Sequence, residues 1–194
     1  STPERLYRRL AAEPGGLDPN RVRCFFSDER HVPLDAPESN FGLARRSLLE
    51  RFPAHAFPVP VAFDTAAHAA AAYERQVVDL LGPDPRFDLI LLGMGEDGHT
   101  ASLFPGRPAL RATGWVTESL PGALPPPVPR ITFAFPLLNR ARRLLVLVTG
   151  ASKAPQLARW QAGEGAVDDL PVRGLAPTDG VLTILADRAA AGES

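Results

Sequence analysis

The stretch Phe87-Asp88-Leu89-Ile90-Leu91-Leu92-Gly93-Met94-Gly95-Glu96-Asp97-Gly98-His99 decides how the chain is read. Its first half is a nearly unbroken apolar run of strand length, the pattern of a strand covered on both faces. Its second half is a glycine-rich polar loop. A buried strand that empties into such a loop at its C-terminal end is the arrangement in which open α/β sheets bind ligands.

The surrounding sequence repeats the alternation. Ser1, Pro3 and Glu4 form a helix start, with Ser1 as N-cap and Glu4 completing a capping box, and Pro14-Gly15-Gly16 ends that helix. Residues 21–26 read as a strand that ends at Ser27-Asp28-Glu29-Arg30. Ser39 or Asn40 caps a second helix running to about Arg51. Asp64 or Thr65 caps a third, whose buried stripe is Ala69, Ala70, Tyr73, Val77, Leu80 and Leu81 and which Gly82-Pro83 stops. Residues 130–135 and 144–148 read as strands. The second runs into Thr149-Gly150-Ala151-Ser152-Lys153 and a helix through about Trp160, and residues 181–185 form a last strand. Strands alternating with helices predict an α/β fold with a largely parallel sheet in one domain, and the proline-rich residues 121–129 read as a surface loop within it.

Composition narrows the function. The chain has 194 residues, 45% of them hydrophobic, and a formal net charge of −1, so bulk charge favours neither nucleic acid nor a membrane surface. One cysteine, Cys24, excludes an internal disulfide framework and a zinc site built on paired thiolates, and points to a reducing, cytoplasmic compartment. No apolar run approaches the roughly 20 residues that span a bilayer, and the first residues are not a secretory signal. Of 21 basic residues 20 are arginine; the single lysine is Lys153.

The loop after the apolar run matches the dinucleotide fingerprint G-x-G-x-x-G, but that fingerprint needs a helix directly after its third glycine, and Pro105, Gly106 and Pro108 leave room only for a turn or two. Its glycines permit close backbone approach to a ligand. Asp97 and His99 set a carboxylate and an imidazole on one loop, and histidine is the natural general base near neutral pH. The alternative is that His99 only fixes the loop. No second histidine has metal-ligand spacing. Asp28, Glu29 and Arg30 leave a strand end, where arginine suits an anion or oxyanion and an acid suits a hydroxyl; an internal salt bridge closing the turn is the alternative. Cys24 reads as a core residue, His31 as a bystander, and Ser102 lacks the G-x-S-x-G elbow of a nucleophile. Lys153 stands at a helix start, where backbone N–H groups and helix dipole favour an anion, and Arg130 at a strand start is a second cation.

Taken together, residues 26–30 (Phe-Ser-Asp-Glu-Arg), 39–42 (Ser-Asn-Phe-Gly), 92–106, 129–132 (Pro-Arg-Ile-Thr) and 149–154 resemble, in that order, the 6-phosphogluconolactonase family. The resemblance covers nearly the whole chain, and its histidine motif is the most specific part. It implies a three-layer, doubly wound, mostly parallel sheet with helices on both faces, the NagB/RpiA-like fold. It also implies cofactor-free and metal-free hydrolysis of 6-phospho-D-glucono-1,5-lactone by a cytoplasmic monomer. In that reading His99 activates water and Asp97 orients it. Asp28 and Arg30 position the substrate and meet developing charge, and Arg130 and Lys153 clamp the phosphate. Ser1, Thr2, Asn40 and Gly95 join the substrate and phosphate contacts. The resemblance further implies that Ser1-Thr2-Pro3 is the tail of a phosphate loop, so that the domain over residues 1–194 lacks an N-terminal strand and the loop's glycines. Glucosamine-6-phosphate deaminases share these features but continue the Asp-Gly-His loop differently; Thr100-Ala101-Ser102-Leu103-Phe104-Pro105 and Asp28-Glu29-Arg30 favour the lactonase. A non-catalytic sugar-phosphate sensor would carry an appended DNA-binding segment, which this sequence does not display.

Overall fold

The computed structural model describes residues 2–120 and 127–193. The expected N-cap Ser1 and most of the proline-rich loop therefore lie outside the described residues, and of Thr2 only the backbone is described.

Helix α1 (Thr2–Ala12) leads to strand β1 (Arg23–Phe25), which is followed after a two-residue corner by β2 (Asp28–Arg30). Helix α2 (Asn40–Ala44) passes into a π-helical turn at Arg45–Leu49 instead of continuing as a regular helix to Arg51. Strand β3 (His55–Phe57) precedes α3 (Ala66–Leu81), whose N-cap Thr65 accepts a hydrogen bond from the His68 N–H and whose end is turned by Gly82 at φ 90°. Strand β4 (Ile90–Gly93) and the short strand β5 (Val116–Ser119) come next, then β6 (Arg130–Phe133). β6 stops two residues before its expected end because Pro136 starts α4 (Phe135–Leu138). Strand β7 (Arg143–Val148), helix α5 (Ala154–Gln161) and strand β8 (Val181–Ala186) complete the order.

The fold is α/β, and its parallel pairings are β1 with β3 and β4 with β7 with β8. It is not one continuous ladder. β2, β6 and β5 form a separate antiparallel sheet, and neither β2 nor β5 was legible as a strand, since both are short and largely polar. Among the described residues β1 and β4 each pair along one edge only. β4 is also not covered on both faces: Ile90 and Leu92 are buried, whereas Leu89, just before it, is 49% exposed.

A line of aromatic rings joins the three sheets where backbone pairing does not. Phe57 stacks on Phe25 at 4.9 Å between centroids, Phe25 meets Phe87 edge-on at 5.2 Å, Phe87 stacks on Phe133 at 5.3 Å, and Phe133 on Tyr73 of α3 at 5.7 Å. The Tyr73 hydroxyl donates to the Phe26 carbonyl and accepts from the Phe26 N–H, at 3.1 and 2.8 Å. Burial holds this phenol well above its ordinary pKa, so it stays a neutral donor. Helix α3 thereby fixes the corner where β1 ends and β2 begins, and Phe133 N–H donates to Ser27 O at 2.7 Å to close it from the other side.

Candidate active site

The loop after β4 is folded on itself. Gly95 N–H donates to His99 O, Gly98 N–H to Gly95 O, and the Thr100 hydroxyl to Gly93 O. Gly98 sits at φ 80°, with Leu170 against the face where a Cβ would stand. No α-helix follows it: residues 100–112 contain only the 3-10 turn Pro108–Arg111, which removes the dinucleotide reading. Within this frame His99 Nδ1 lies 2.5 Å from Asp97 Oδ1, and that same oxygen accepts from the His99 N–H at 3.1 Å. Burial works to raise the Asp97 carboxyl, but the hydrogen bond and charge of His99 outweigh it and hold the group below its ordinary value. An ionised Asp97 accepts a hydrogen bond from Nδ1–H, which fixes the neutral tautomer with its lone pair on Nε2. Ala101, two residues on, is held at φ 48°, a backbone conformation that costs a residue with a side chain about 1 kcal/mol.

Gly95 makes room for this pair. A Cβ on Gly95 would stand 2.1 Å from His99 Nδ1 and 2.7 Å from Asp97 Oδ1. Its N–H donates to His99 O.

The second half of the site is built on β2 and β6. Side chains alternate across a strand, so Asp28 and Arg30 share one face while Glu29 points to the other. Asp28 stands opposite Thr132 and Arg30 opposite Arg130 in the antiparallel register. Two guanidinium-bearing residues directly across a ladder repel one another. Burial first, and the Arg30 charge next, pull Arg130 below its ordinary pKa, with Asp28 and Glu29 opposing; arginine still remains a cation. Arg130 is 4% exposed, and its guanidinium lies over the Phe104 ring at 5.4 Å. The same ring lies against His99, at 4.6 Å between centroids. Phe104 is thus the spacer that brings the cation of β6 beside the imidazole of the loop, a role its sequence context did not reveal.

Glu29 is fully buried, and its carboxylate accepts from the Arg30, Asn40 and Phe41 N–H groups and from the Ser39 hydroxyl. Burial pushes its pKa up against those four donors. The carboxylate ties the N-terminus of α2 to β2 and so delivers Asn40. Asn40 braces its neighbours: its Oδ1 accepts from Arg30 at 2.5 Å, and its Nδ2 donates to the Asp28 carbonyl at 2.9 Å and to Asp28 Oδ1 at 3.3 Å. Arg30 also donates to Glu38 O at 2.9 Å. Neutral oxygens hold this guanidinium, in place of the salt bridge considered from sequence.

Lys153 comes to the same end of the molecule along β7, the parallel neighbour of β4. Its ammonium lies 3.3 Å from Glu96 Oε1 on the histidine loop, with the lysine side chain 20% and the glutamate 61% exposed. The Ser152 hydroxyl and Lys153 together hold the Glu96 carboxyl below its ordinary pKa. Gly150, at φ 92°, is anchored by donating its N–H to the Asp187 carboxylate at 3.1 Å. Of the expected site residues, then, His99, Asp97, Asp28, Arg30 and Arg130 are joined through Asn40, Phe104 and the β2–β6 ladder, and Lys153 adjoins them through Glu96. Ser1 and the side chain of Thr2 lie outside the described residues. Cys24 is half-buried, and burial raises its thiol pKa, as suits an unreactive packing residue. Among the described residues no three His, Cys, Asp or Glu side chains group as a metal site, and no helix is long and apolar enough to cross a membrane.

A family model described as glucosamine-6-phosphate isomerases/6-phosphogluconolactonase matches residues 1–184. The chain is 37% identical over 197 residues to a 6-phosphogluconolactonase of Synechocystis sp., spanning 97% of this chain and 80% of that one. A solved 6-phosphogluconolactonase from Trypanosoma cruzi superposes with a TM-score of 0.87 at 33% identity, covering 99% of this chain and 80% of the other. A monomeric glucosamine-6-phosphate deaminase superposes with a TM-score of 0.83 at 24% identity, over 100% of this chain and 85% of the other, which is a likeness of fold alone.

Proposed function

From the premise that the chain belongs to the glucosamine-6-phosphate isomerase/6-phosphogluconolactonase family, we propose that it hydrolyses 6-phospho-D-glucono-1,5-lactone to 6-phospho-D-gluconate, in the oxidative pentose phosphate pathway, with His99 as the general base. The observation that carries this is the Asp97–His99 contact at 2.5 Å, which keeps the Nδ1 proton on the carboxylate side and leaves Nε2 to accept one.

A water between Nε2 and the lactone carbonyl gives its proton to His99 as its oxygen adds to that carbon. The tetrahedral oxyanion then collapses, the bond to the ring oxygen breaks, and the imidazolium returns its proton to that oxygen. Arg30 meets the developing negative charge, and its pre-set bonds to Asn40 and Glu38 mean that little reorganisation accompanies the step. Asp28, on the same strand face, takes a substrate hydroxyl. Arg130 and Lys153 hold the phosphate, assisted by Ser1 and Thr2. The same reading takes residues 1–194 as a single catalytic domain acting as a cytoplasmic monomer.

The test is a side-by-side assay of lactone hydrolysis and glucosamine-6-phosphate deamination, with spontaneous lactone opening subtracted. Hydrolysis is expected, and activity in the deaminase assay alone would overturn the assignment. His99→Ala is expected to keep the fold and to lose on the order of 10²–10⁴ in kcat, the usual worth of a positioned base; undiminished turnover would remove His99 from the mechanism.

A further inference from the structure

We propose that Ser102 is a positioning residue for this reaction, fixing the orientation in which the Asp28 carboxylate is presented to substrate. The proposal rests on the reading that Asp28 faces the lactone. Ser102 is fully buried, and each of its polar groups is committed. Its hydroxyl donates to Asp28 Oδ2 at 2.7 Å, its N–H donates to Thr132 Oγ1 at 3.2 Å, and its carbonyl accepts from the Ser119 hydroxyl at 2.6 Å. Thr132 lies directly across the ladder from Asp28, and Ser119 directly across from Arg130. The Ser102 backbone is therefore bolted at two points to the sheet that carries Asp28, so the hydroxyl has a fixed place from which to donate.

Of the two Asp28 oxygens, Oδ1 takes, among the described residues, a 3.3 Å bond from Asn40. The shorter contact, which sets the plane of the carboxylate, comes from Ser102. That residue also lies three positions after His99, beyond the left-handed Ala101. The loop that carries the base thus reaches across the site to orient the acid on β2, and one backbone segment sets the relative position of both. The serine does not touch the reacting atoms; its burial and its carboxylate partner keep it behind Asp28.

The test is a double-mutant cycle on the full chain with Ser102→Ala and Asp28→Asn, together with Ser102→Cys, which keeps the side-chain volume with a weaker donor, and Ser102→Thr, which keeps the hydroxyl. Thermal unfolding and circular dichroism check the fold of each. Ser102→Ala is expected to lower kcat/KM about ten- to a hundredfold, by an equal factor on phosphorylated and unphosphorylated gluconolactone, since it acts at the ring end. Ser102→Cys should fall between it and the wild type, and Ser102→Thr should recover most of the loss. In the Asp28→Asn background, Ser102→Ala should cost little more. Fully additive losses, or wild-type activity in folded Ser102→Ala and Ser102→Cys, would overturn the proposal. Wild-type activity of Asp28→Asn would instead overturn the placing of Asp28 in the site.

Discussion

The two cationic arms of the site are built to opposite rules. Arg30 and Arg130 stand on adjacent antiparallel strands, one braced by Asn40 and the Glu38 carbonyl, the other nearly buried against Phe104. Behind them the buried Glu29 holds the start of α2 with three hydrogen bonds. Lys153 reaches the site from the loop after β7 and pairs with a carboxylate that is 61% exposed. The guanidinium of Arg30 is held by neutral oxygens and Arg130 by burial, so the first arm has a fixed geometry. The second must exchange its partner, because an ammonium that clamps a phosphate cannot keep an equal hold on Glu96. Charge developing in a transition state is best met by dipoles that need no reorganisation, whereas a substituent bound before and after the reaction tolerates a flexible cation. On the proposed reading the contrast suits Arg30 to the reacting end and Lys153 to the remote end, where the nearly buried Arg130 is its fixed partner on the phosphate.

The strongest way to break the rigid side is Gly95→Ala. The added Cβ would fall 2.1 Å from His99 Nδ1, so the imidazole and Asp97 must part. A displacement of about 1 Å in a catalytic group is worth about a hundredfold, and a loss of that order in kcat is expected with both phosphorylated and unphosphorylated lactone. Steady-state kinetics on the two substrates measures it. Unimpaired turnover would mean that the Asp97–His99 contact is not what the reaction uses.

The candidate groups on both sides were legible in the sequence, and the contacts that fix the rigid side were not. Helix α3 and strands β7 and β8 announce themselves by period and by caps such as Thr65 and Gly82, because local pattern and burial agree there. The lone lysine and the histidine loop are visible as chemistry. Asp28-Glu29-Arg30 reads as polar loop because a three-residue charged strand has no apolar alternation to detect, and only the pairing with β6 makes it a strand. The same pairing separates the buried Glu29 from the site-facing Asp28 and Arg30. Ser102 and Asp28 lie 74 positions apart, so no spacing rule connects them. The sequence context of Asn40 does not disclose that its amide bonds to Arg30 and Asp28.

Lys153→Ala gives the next largest effect and reads the other arm. A charge-assisted hydrogen bond to phosphate is worth roughly 1.5–3 kcal/mol, so KM for the phosphorylated lactone should rise about ten- to a hundredfold with kcat little changed. Unphosphorylated gluconolactone should be used as before. An equal loss on both substrates would place Lys153 at the reacting end and dissolve the division between the arms.

Glu96→Gln sharpens the comparison with the smallest change. Glu96 lies 3.3 Å from the Lys153 ammonium, and its charge would stand beside a phosphate dianion held there. The pair is partly exposed, so it is a weak, solvent-screened surface ion pair. Removing the carboxylate charge should therefore tighten the phosphorylated substrate two- to fivefold in KM. The gain should shrink as salt is raised, and it should vanish in the Lys153→Ala background, because the glutamate acts through the lysine. A Glu96→Gln variant that bound the phosphorylated lactone more weakly would show that the carboxylate aims the ammonium instead of competing for it. Lys153 would then belong with Arg30 among the pre-set groups, and the molecule would have one kind of cationic arm instead of two.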